Sequence, residues 1–352
     1  MIISDQFNMI FSIGDIEDFI TPDNLLSFEL FEAAGNARPI IKMSFILIDK
    51  DVINYLNPGN ILSIRFGIDQ PSSNIFLFEL QGDNTAIDFT LGNKVQITAA
   101  LYLPKFTSNV KSKGYGECTS VDVLKQLSAN GSMKFKTNVG RTADKQMWFQ
   151  QGKTDWDFAQ EVWLHAYQNE DTFFNLSFDE DSMYFYDIKQ AVLSGPTWQF
   201  SASQGGADNS NIVNFATYFT TNQYGTVGNL LGKNIKNNTF NLTTGEFSSN
   251  GYKLKNLTTR DSNKLNLNVD GCQDYSYSYI SSNVHENYVK AYNQNMRNNI
   301  LFSTYTCYIS IAAQFRKFKL MDTATITPVI IDDRISGIWF ITGICYQYQA
   351  GD

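Results

Sequence analysis

Histidine, cysteine and charge are scarce in this chain of 352 residues, and each shortage removes a class of function. Imidazole occurs only at His165 and His285, far apart in sequence, and the four cysteines contain no C-x-x-C pair. This spacing argues against a zinc knuckle or a redox motif, and both histidines are expected to have structural or surface roles. The sequence has no metalloprotease, serine-hydrolase, P-loop or dinucleotide-binding motif in the strand and helix context that such a motif requires. We therefore predict no metal, no cofactor and no catalytic residues.

Positive charge is also in short supply, with 27 Lys and Arg against 35 Asp and Glu, a net charge of −8 and an isoelectric point near 4.9. A protein that grips nucleic-acid phosphates needs a basic face, so specific nucleic-acid binding is not predicted. The sequence has no apolar run of membrane-spanning length, and its amino terminus lacks the basic start of a secretory signal. We expect no membrane insertion, no secretion by signal peptide, and folding in a cytoplasm.

Aromatic and uncharged polar residues take the place of charge. Aromatic residues make up 14% of the chain and charged residues 18%, against about a quarter charged in an ordinary globular domain. A surface that is polar but largely uncharged suits extended contacts with other proteins as well as with solvent. The composition thus indicates a globular protein that assembles, and the length predicts two or more domains.

The pattern of apolar residues predicts a mainly β protein with α/β insertions, an α+β fold with two similar antiparallel β-barrel domains. Helix caps are predicted at Thr119 or Ser120, at Thr154 with Asp157, and at Asn283 with Glu286. The predicted domains are a first β-barrel at 1–104, an α/β insertion domain at 105–190, a second β-barrel at 191–225 and 290–352, and a loop and hairpin insert at 226–289 with the start of the third helix.

One segment occurs twice, as IDQPSSNIFLF at 68–78 and as IDDRISGIWFI at 331–341, an offset of 263 positions. Each copy has a strand end, a polar connection and a second apolar strand, which is the pattern of a hairpin. We predict that these repeated strands form equivalent interfaces in two similar barrels. The predicted interface residues, given as aligned pairs, are Ile68 and Ile331, Asp69 and Asp332, Ser73 and Ser336, Ile75 and Ile338, and Phe76 and Trp339.

The acidic cluster Asp179, Glu180 and Asp181 permits an enzymatic alternative. A glycoside hydrolase needs a protonated and an ionised carboxyl group, and Asp179 with Asp181 would be the candidates. A hairpin tip explains the same residues, because Asp and Ser at a turn bond locally to the backbone and stay solvated. A second alternative is a β-rich receptor- or glycan-binding protein, in which segments such as YFYD and DYSYSYI would stack on sugars.

The segment ADKQMWFQQGKTDWDFAQEVWLHAY, residues 143–167, resembles the part of phage tail baseplate hubs and VgrG spikes in which an aromatic strand precedes a capped helix. The order of elements along the whole chain is similar as well. In that family a first barrel is followed by an α/β insertion, and a second barrel is interrupted by a further insertion. The resemblance therefore agrees with the two-barrel organisation predicted above.

The resemblance implies a structural role without enzymatic activity. A homotrimer with two like barrels per chain would present six barrels to the hexameric tail tube protein and three identical chains to the spike, around a channel for DNA. Because the sequence stops shortly after its final strand, the spike is expected on a separate chain. Baseplate wedge and tape-measure proteins are further possible partners, and the expected location is the virion tail baseplate, assembled in the host cytoplasm.

Overall fold

The computed structural model describes sixteen stretches of the chain, and all structural statements below concern them. They are residues 7–21, 23–35, 38–68, 75–82, 86–88, 93–179, 181–201, 212–214, 216–221, 234–241, 244–253, 275–281, 284–302, 305–310, 318–327 and 337–349.

The elements are numbered in chain order. The first region has strands and a 3-10 helix at Lys50–Tyr55; the strands are β1 Phe7–Ile13, β2 Ile16–Glu17, β3 Leu25–Ala33, β4 Ile40–Ile46, β5 Ile61–Ile68, β6 Ile75–Leu80, β7 Ala86–Asp88 and β8 Lys94–Leu101. The second is mixed: α1 Pro104–Thr107, β9 Lys111–Cys118, α2 Ser120–Asn130, β10 Lys134–Thr137, β11 Gln146–Lys153, α3 Asp155–Leu164, β12 Phe174–Phe178, β13 Ser182–Asp187 and α4 Ile188–Leu193. The third contains β14 Trp198–Ser201, β15 Ile212–Asn214, β16 Ala216–Thr221, β17 Asn234–Asn241, β18 Phe247–Lys253, β19 Tyr275–Ser281, α5 Tyr288–Phe302, β20 Tyr305–Ser310, β21 Thr323–Thr327, β22 Ile338–Phe340 and β23 Gly343–Gln349.

The first region forms a nine-stranded antiparallel sheet in the order β2-β1-β5-β6-β8-β4-β3-β23, with β7 beside β8. Alternation along the strands places one face on a large apolar core, as the sequence pattern predicts. On β6, for example, Phe76 and Phe78 are buried while Ile75 and Leu77 are exposed. The prediction of a mainly β protein is confirmed here.

The strand β23 belongs to this first sheet, although its residues fall in the range predicted for the second barrel. It pairs with β3 over seven residues without a register shift, from Gly343 opposite Ala33 to Gln349 opposite Ser27. Tyr346 and Tyr348 pack against the core of the first sheet. Strand pairing of such long range is set by tertiary contacts, which the local alternation of residues does not encode.

The α/β unit is built from two small sheets, β10-β13-β12 and β11-β9, against which α2 and α3 pack. Both predicted helix caps are confirmed: the Thr119 side chain accepts from the Asp122 backbone N–H in a full capping box, and Thr154 accepts from the Asp157 N–H. The core of this unit also contains Tyr288 from α5. Its packing therefore extends beyond the predicted range of 105–190.

Helix α5 differs from its prediction in both position and packing. The residue pattern predicts that MRNN, residues 296–299, ends this helix, whereas α5 begins at Tyr288 and ends at Phe302. The predicted cap residue Asn283 lies outside the described residues. Gln294 and Asn295, just before MRNN, are buried and donate hydrogen bonds to the α/β unit. Tertiary hydrogen bonds therefore outweigh the weak helix propensity of asparagine.

The third region contains a four-stranded sheet in the order β15-β14-β21-β22, a β16-β20 pair and a separate β18-β17-β19 sheet. In the four-stranded sheet β14 is parallel to both neighbours, and β21 is antiparallel to β22. The parallel pairs depart from the antiparallel second barrel that the sequence predicts. Because β14 and β21 are distant in the chain, no tight hairpin fixes their relative direction.

Candidate assembly surface

The two repeat copies lie in hairpins, as predicted, where the structure describes them. Ile75 and Phe76 are on β6, and Ile68 is the last residue of β5. Ile338 and Trp339 are on β22, which pairs with β21. The remaining predicted interface residues, Asp69, Ser73, Ile331, Asp332 and Ser336, lie outside the described residues.

The strand pairing within the two hairpins is not the same. In the first copy Phe76 is opposite Ile64. The offset of 263 would place Thr327 opposite Trp339, whereas Trp339 is opposite Ala324, three residues earlier in the chain. The repeat is therefore a shared strand–connection–strand pattern with a shifted register.

The two hairpins also differ in burial. Ile75 is 50% exposed and Leu77 39% exposed on the face of β6 that points away from the core, while Phe76 is buried. Ile338 and Trp339 are both half-buried, and Trp339 packs on a small cluster formed by Phe200, Phe318 and Ile326. The first copy thus leaves apolar side chains exposed, and the second uses its aromatic residue in packing.

The outer face of the first sheet carries rows of side chains that run across four strands. One row is apolar, with Cys345, Phe31, Ile40 and Ala100 directly opposite one another on β23, β3, β4 and β8. Residues opposite each other in a sheet share a face and contact each other. Phe31 is 46% exposed in this row. The face therefore presents an apolar band that continues across the junction between β3 and β23.

The next two rows on this face are polar with little net charge. Gln347, Glu29, Lys42 and Thr98 are opposite one another, followed by Gln349, Ser27, Ser44 and Gln96. The two charges stand side by side with opposite sign, and the Ser27 and Ser44 hydroxyls are 2.7 Å apart. A band of this kind offers contacts to a protein or to water without a strong field of either sign.

The residues of the enzymatic alternative are engaged in a turn. The Asp179 carboxylate accepts from the backbone N–H groups of Asp181 and Ser182, and Tyr184 donates its hydroxyl to it. Asp181 forms an ion pair with Lys134 and accepts from the Ser182 hydroxyl. Glu180 lies outside the described residues. The hairpin-tip interpretation of this cluster agrees with these bonds.

The charges and hydrogen bonds around Asp181 lower the pKa of its carboxyl group. Burial raises the pKa of its carboxyl group, but hydrogen bonds from Lys134 and Ser182 and the charges of Lys134 and Lys136 outweigh burial and lower that pKa. A glycosidase acid needs the opposite shift, because it must be protonated near neutral pH. The lowered pKa of Asp181 therefore does not suit that role.

The structure brings His165 and His285 together, which the sequence did not predict. The His285 ring Nε2 lies 3.2 Å from the backbone oxygen of His165, and the His165 ring stacks on Tyr288. Both histidines lie at the ends of predicted helices, but nothing local indicates that these ends meet. Among the described residues, no group of three His, Cys, Asp or Glu side chains has the arrangement of a metal site.

The backbone of this chain is similar to solved structures over nearly its full length. It matches the tail protein from Neisseria meningitidis MC58 with a TM-score of 0.58, 11% sequence identity, and coverage of 99% of this chain and 94% of that one. It matches the 43 kDa tail protein of prophage MuSo2 from Shewanella oneidensis with a TM-score of 0.54, 8% identity and the same coverage of both chains. The chain has the fold of a phage tail protein.

The tail-protein fold confirms the resemblance predicted from the sequence at the level of architecture. A third likeness, to prophage tail protein gp18 from Listeria monocytogenes EGD-e, has a TM-score of 0.49, 12% identity, and coverage of 97% of this chain and 90% of that one. Neither a family model nor a curated protein sequence matches the chain. Within the described residues, no helix is long and apolar enough to cross a membrane.

Proposed function

We propose that this chain is a structural baseplate hub of a phage tail or a related contractile injection system. Three copies form a ring with pseudo-six-fold symmetry, which joins the hexameric tail tube to a trimeric spike and surrounds the channel through which DNA passes. The ring has no enzymatic role, and wedge and tape-measure proteins are further contacts. Its location is the tail baseplate of the virion, after assembly in the host cytoplasm.

The observation that carries this proposal is a strand order that recurs in the two β regions. The first contains the sequence of neighbours β2-β1-β5-β6, and the third contains β15-β14-β21-β22. In addition, β3 pairs antiparallel with β4, and β16 pairs antiparallel with β20. The two regions differ in that β14 runs parallel to both of its neighbours, whereas β1 is antiparallel to both of its own. Reversing the direction of β14 alone would remove this difference. Two modules of like order are what three chains need to imitate six subunits.

The junction of β3 with β23 adds a second argument. It attaches a strand from the carboxy-terminal part of the chain to an edge of the first sheet, so the two ends of the chain are joined by hydrogen bonds within one sheet. The outer face of that sheet has balanced charges, and the chain as a whole is acidic. A channel wall of this composition would release phosphates, because it offers them no cluster of cations.

The binding alternative expects clustered aromatic side chains. The exposed aromatic residues of the described chain, Phe31, Phe149, Phe240, Phe247 and Tyr308, are spread over four sheets, and among them Phe240 and Phe247 are direct neighbours, opposite each other on β17 and β18. Stacking on a glycan requires several rings along one groove. The described surface therefore favours the structural role over sugar recognition.

Oligomeric state tests the proposal directly. Native mass spectrometry and electron microscopy of the purified chain are expected to show a ring of about 120 kDa, three times the 39.9 kDa chain. Class averages should show six similar densities around a central opening. A protein that stays monomeric at every concentration, with and without tube protein, would contradict the ring.

A matched pair of variants tests the repeat strands. Ile75→Glu places a charge at a 50% exposed position on β6 and is expected to abolish the trimer while the monomer keeps its secondary structure. Leu193→Glu is the control, since Leu193 is 79% exposed on α4, outside the repeat. Sedimentation velocity measures both. An unchanged trimer in Ile75→Glu would remove this strand from the interface.

A further inference from the structure

The only two histidines of the chain form one cluster that joins α5 to the end of α3. His165 is the carboxy-terminal cap residue of α3, and His285 lies in the turn before α5. The backbone N–H of His285 donates to the Gln146 side chain at 2.8 Å, which ties the same turn to β11. The cluster therefore holds the segment that follows the insert onto the α/β unit.

The contacts between the two segments are reciprocal. The His165 Nδ1 lies 2.9 Å from the backbone oxygen of Tyr288, and the His285 Nε2 lies 3.2 Å from the backbone oxygen of His165. A carbonyl oxygen only accepts, so both ring nitrogens carry a proton and donate. The ring of His165 also stacks on Tyr288, with centroids 3.5 Å apart and planes 13° from parallel. This geometry fixes one neutral tautomer for each imidazole.

Protonation of His285 would create a buried charge without a new bond. The His285 Nδ1 is buried and has no hydrogen-bond partner among the described residues, so a proton added there gains no acceptor. The nearby Asp144 carboxylate already accepts from Ser120, Thr142 and Tyr167. The titratable groups that face the pair are Asp144, Glu161, Glu286, Lys153, Tyr167, Tyr288 and Tyr292.

We propose that His165, His285 and Tyr288 form an acid-sensitive latch, in which neutral imidazoles hold α5 on the α/β unit and their protonation releases it. Released α5 frees the part of the chain between β19 and β20. The latch couples the attachment of α5 to the protonation of two residues. It concerns a contact within one chain and does not depend on the proposed ring.

The direction of the pH effect follows from burial. Burial lowers the pKa of His165 from 6.5 to about 3 and also lowers the pKa of His285; Asp144 opposes the second shift without reversing it. The docked state therefore binds fewer protons than the released state. Docking is fully favoured above the ordinary histidine pKa and weakens as the pH falls toward the docked values, by about tenfold per pH unit for each histidine.

Nuclear magnetic resonance of histidine rings tests the latch on the unaltered protein, because only two imidazoles contribute signals. While α5 is docked, the His165 ring is not expected to titrate between pH 8 and about 5.5, and the His285 ring is expected to titrate below the ordinary pKa of histidine. The nitrogen shifts should report the Nδ1–H tautomer for His165 and the Nε2–H tautomer for His285. A ring that titrates near its ordinary value in the folded protein would overturn the proposal.

Hydrogen exchange, corrected for the intrinsic effect of pH, measures the release itself. Amides of α5 and of residues 163–174 are expected to lose at least about a hundredfold protection between pH 7.5 and 4.5, before β4 and β8 lose theirs.

The variants His165→Asn and His285→Gln each keep an N–H donor near the native position. Each should lower by one the number of protons taken up when α5 is released, so protection should depend less steeply on pH. Glu17→Gln, at an exposed position on β2 of the first sheet, is the control and should leave this pH dependence unchanged. Equal protection at both pH values, or an unchanged slope in the double variant, would refute the latch.

Discussion

The first sheet and the contact between α5 and the α/β unit, the α5 joint, are held together by different kinds of interaction. The first sheet buries an almost entirely apolar core, in which Phe11, Phe45 and Phe78 are among the largest enclosed side chains. Along α5 the buried Gln294 and Asn295 side chains donate hydrogen bonds to the α/β unit. The comparison teaches that one protein uses non-directional burial for a module and directional hydrogen bonds for a joint.

The joint works by supplying donors to backbone oxygens at the end of α3. The Asn295 Nδ2 lies 2.8 Å from the Ala166 oxygen, 3.1 Å from that of Leu164 and 3.3 Å from that of Trp163. Its Oδ1 accepts from the Phe174 N–H, and Gln294 donates to the oxygens of Asn169 and Thr172. Helix ends leave carbonyl groups without intrahelical partners, so burying this end requires such donors. The amides of α5 meet that requirement.

The largest expected effect tests the apolar side of the comparison. Phe78 is 2% exposed in the first core, and Phe78→Ala is expected to lower the free energy of unfolding of this sheet by about 3–5 kcal/mol. Phe78→Leu should cost less, because it conserves more of the buried volume. Urea denaturation followed by circular dichroism measures both. Equal losses would show that volume is not what the position requires.

An intermediate effect is expected at the polar joint. Asn295→Ala removes the donors to three buried carbonyl groups and is expected to cost about 2–4 kcal/mol in the stability of the α/β unit. Asn295→Leu restores volume but no donor, so it should be at least as harmful. Asn287→Ala is the control, because its amide donates only to the neighbouring Glu286 side chain. A stable Asn295→Leu protein would mean that the joint depends on packing, as the first sheet does.

The smallest effect is expected at the helix cap of α2 in the α/β unit. Thr119 caps α2 with a reciprocal pair of bonds to Asp122. Thr119→Ala is expected to cost about 1 kcal/mol, and Thr119→Ser should be nearly neutral since it keeps the hydroxyl. Thermal unfolding of the three proteins gives the ranking. If the serine variant lost as much as the alanine variant, the methyl group and not the cap bond would be responsible.

Local features of this fold were accessible from the sequence, and long-range ones were not. Thr119 and Thr154 were predicted as caps because a cap involves residues only three positions apart. The alternation that buries Phe76 and exposes Ile75 is likewise written in neighbouring residues. The resemblance to tail proteins also depended on a local segment and on the order of elements, and the fold agrees with it.

The histidine cluster and the α5 joint could not be read in the same way. His165 and His285 are separated by 120 positions, and each by itself has the pattern of an ordinary helix end. Asn295 lies inside the predicted helix, and nothing nearby in sequence marks it as a donor to distant carbonyl groups. The shifted register of the two hairpins was hidden for a related reason, because identical letters in two segments do not determine which residues face each other across a strand pair.

The junction between β3 and β23 has a consequence for biosynthesis. The side chains of Glu29 and Gln347, which meet across it, are 318 positions apart in the chain. At ordinary rates of translation, on the order of tens of seconds pass between the emergence of β3 from the ribosome and that of its partner. During this interval the β3 edge of the nascent sheet lacks its partner strand β23. A chaperone that binds exposed strand edges of nascent chains would therefore bind at β3.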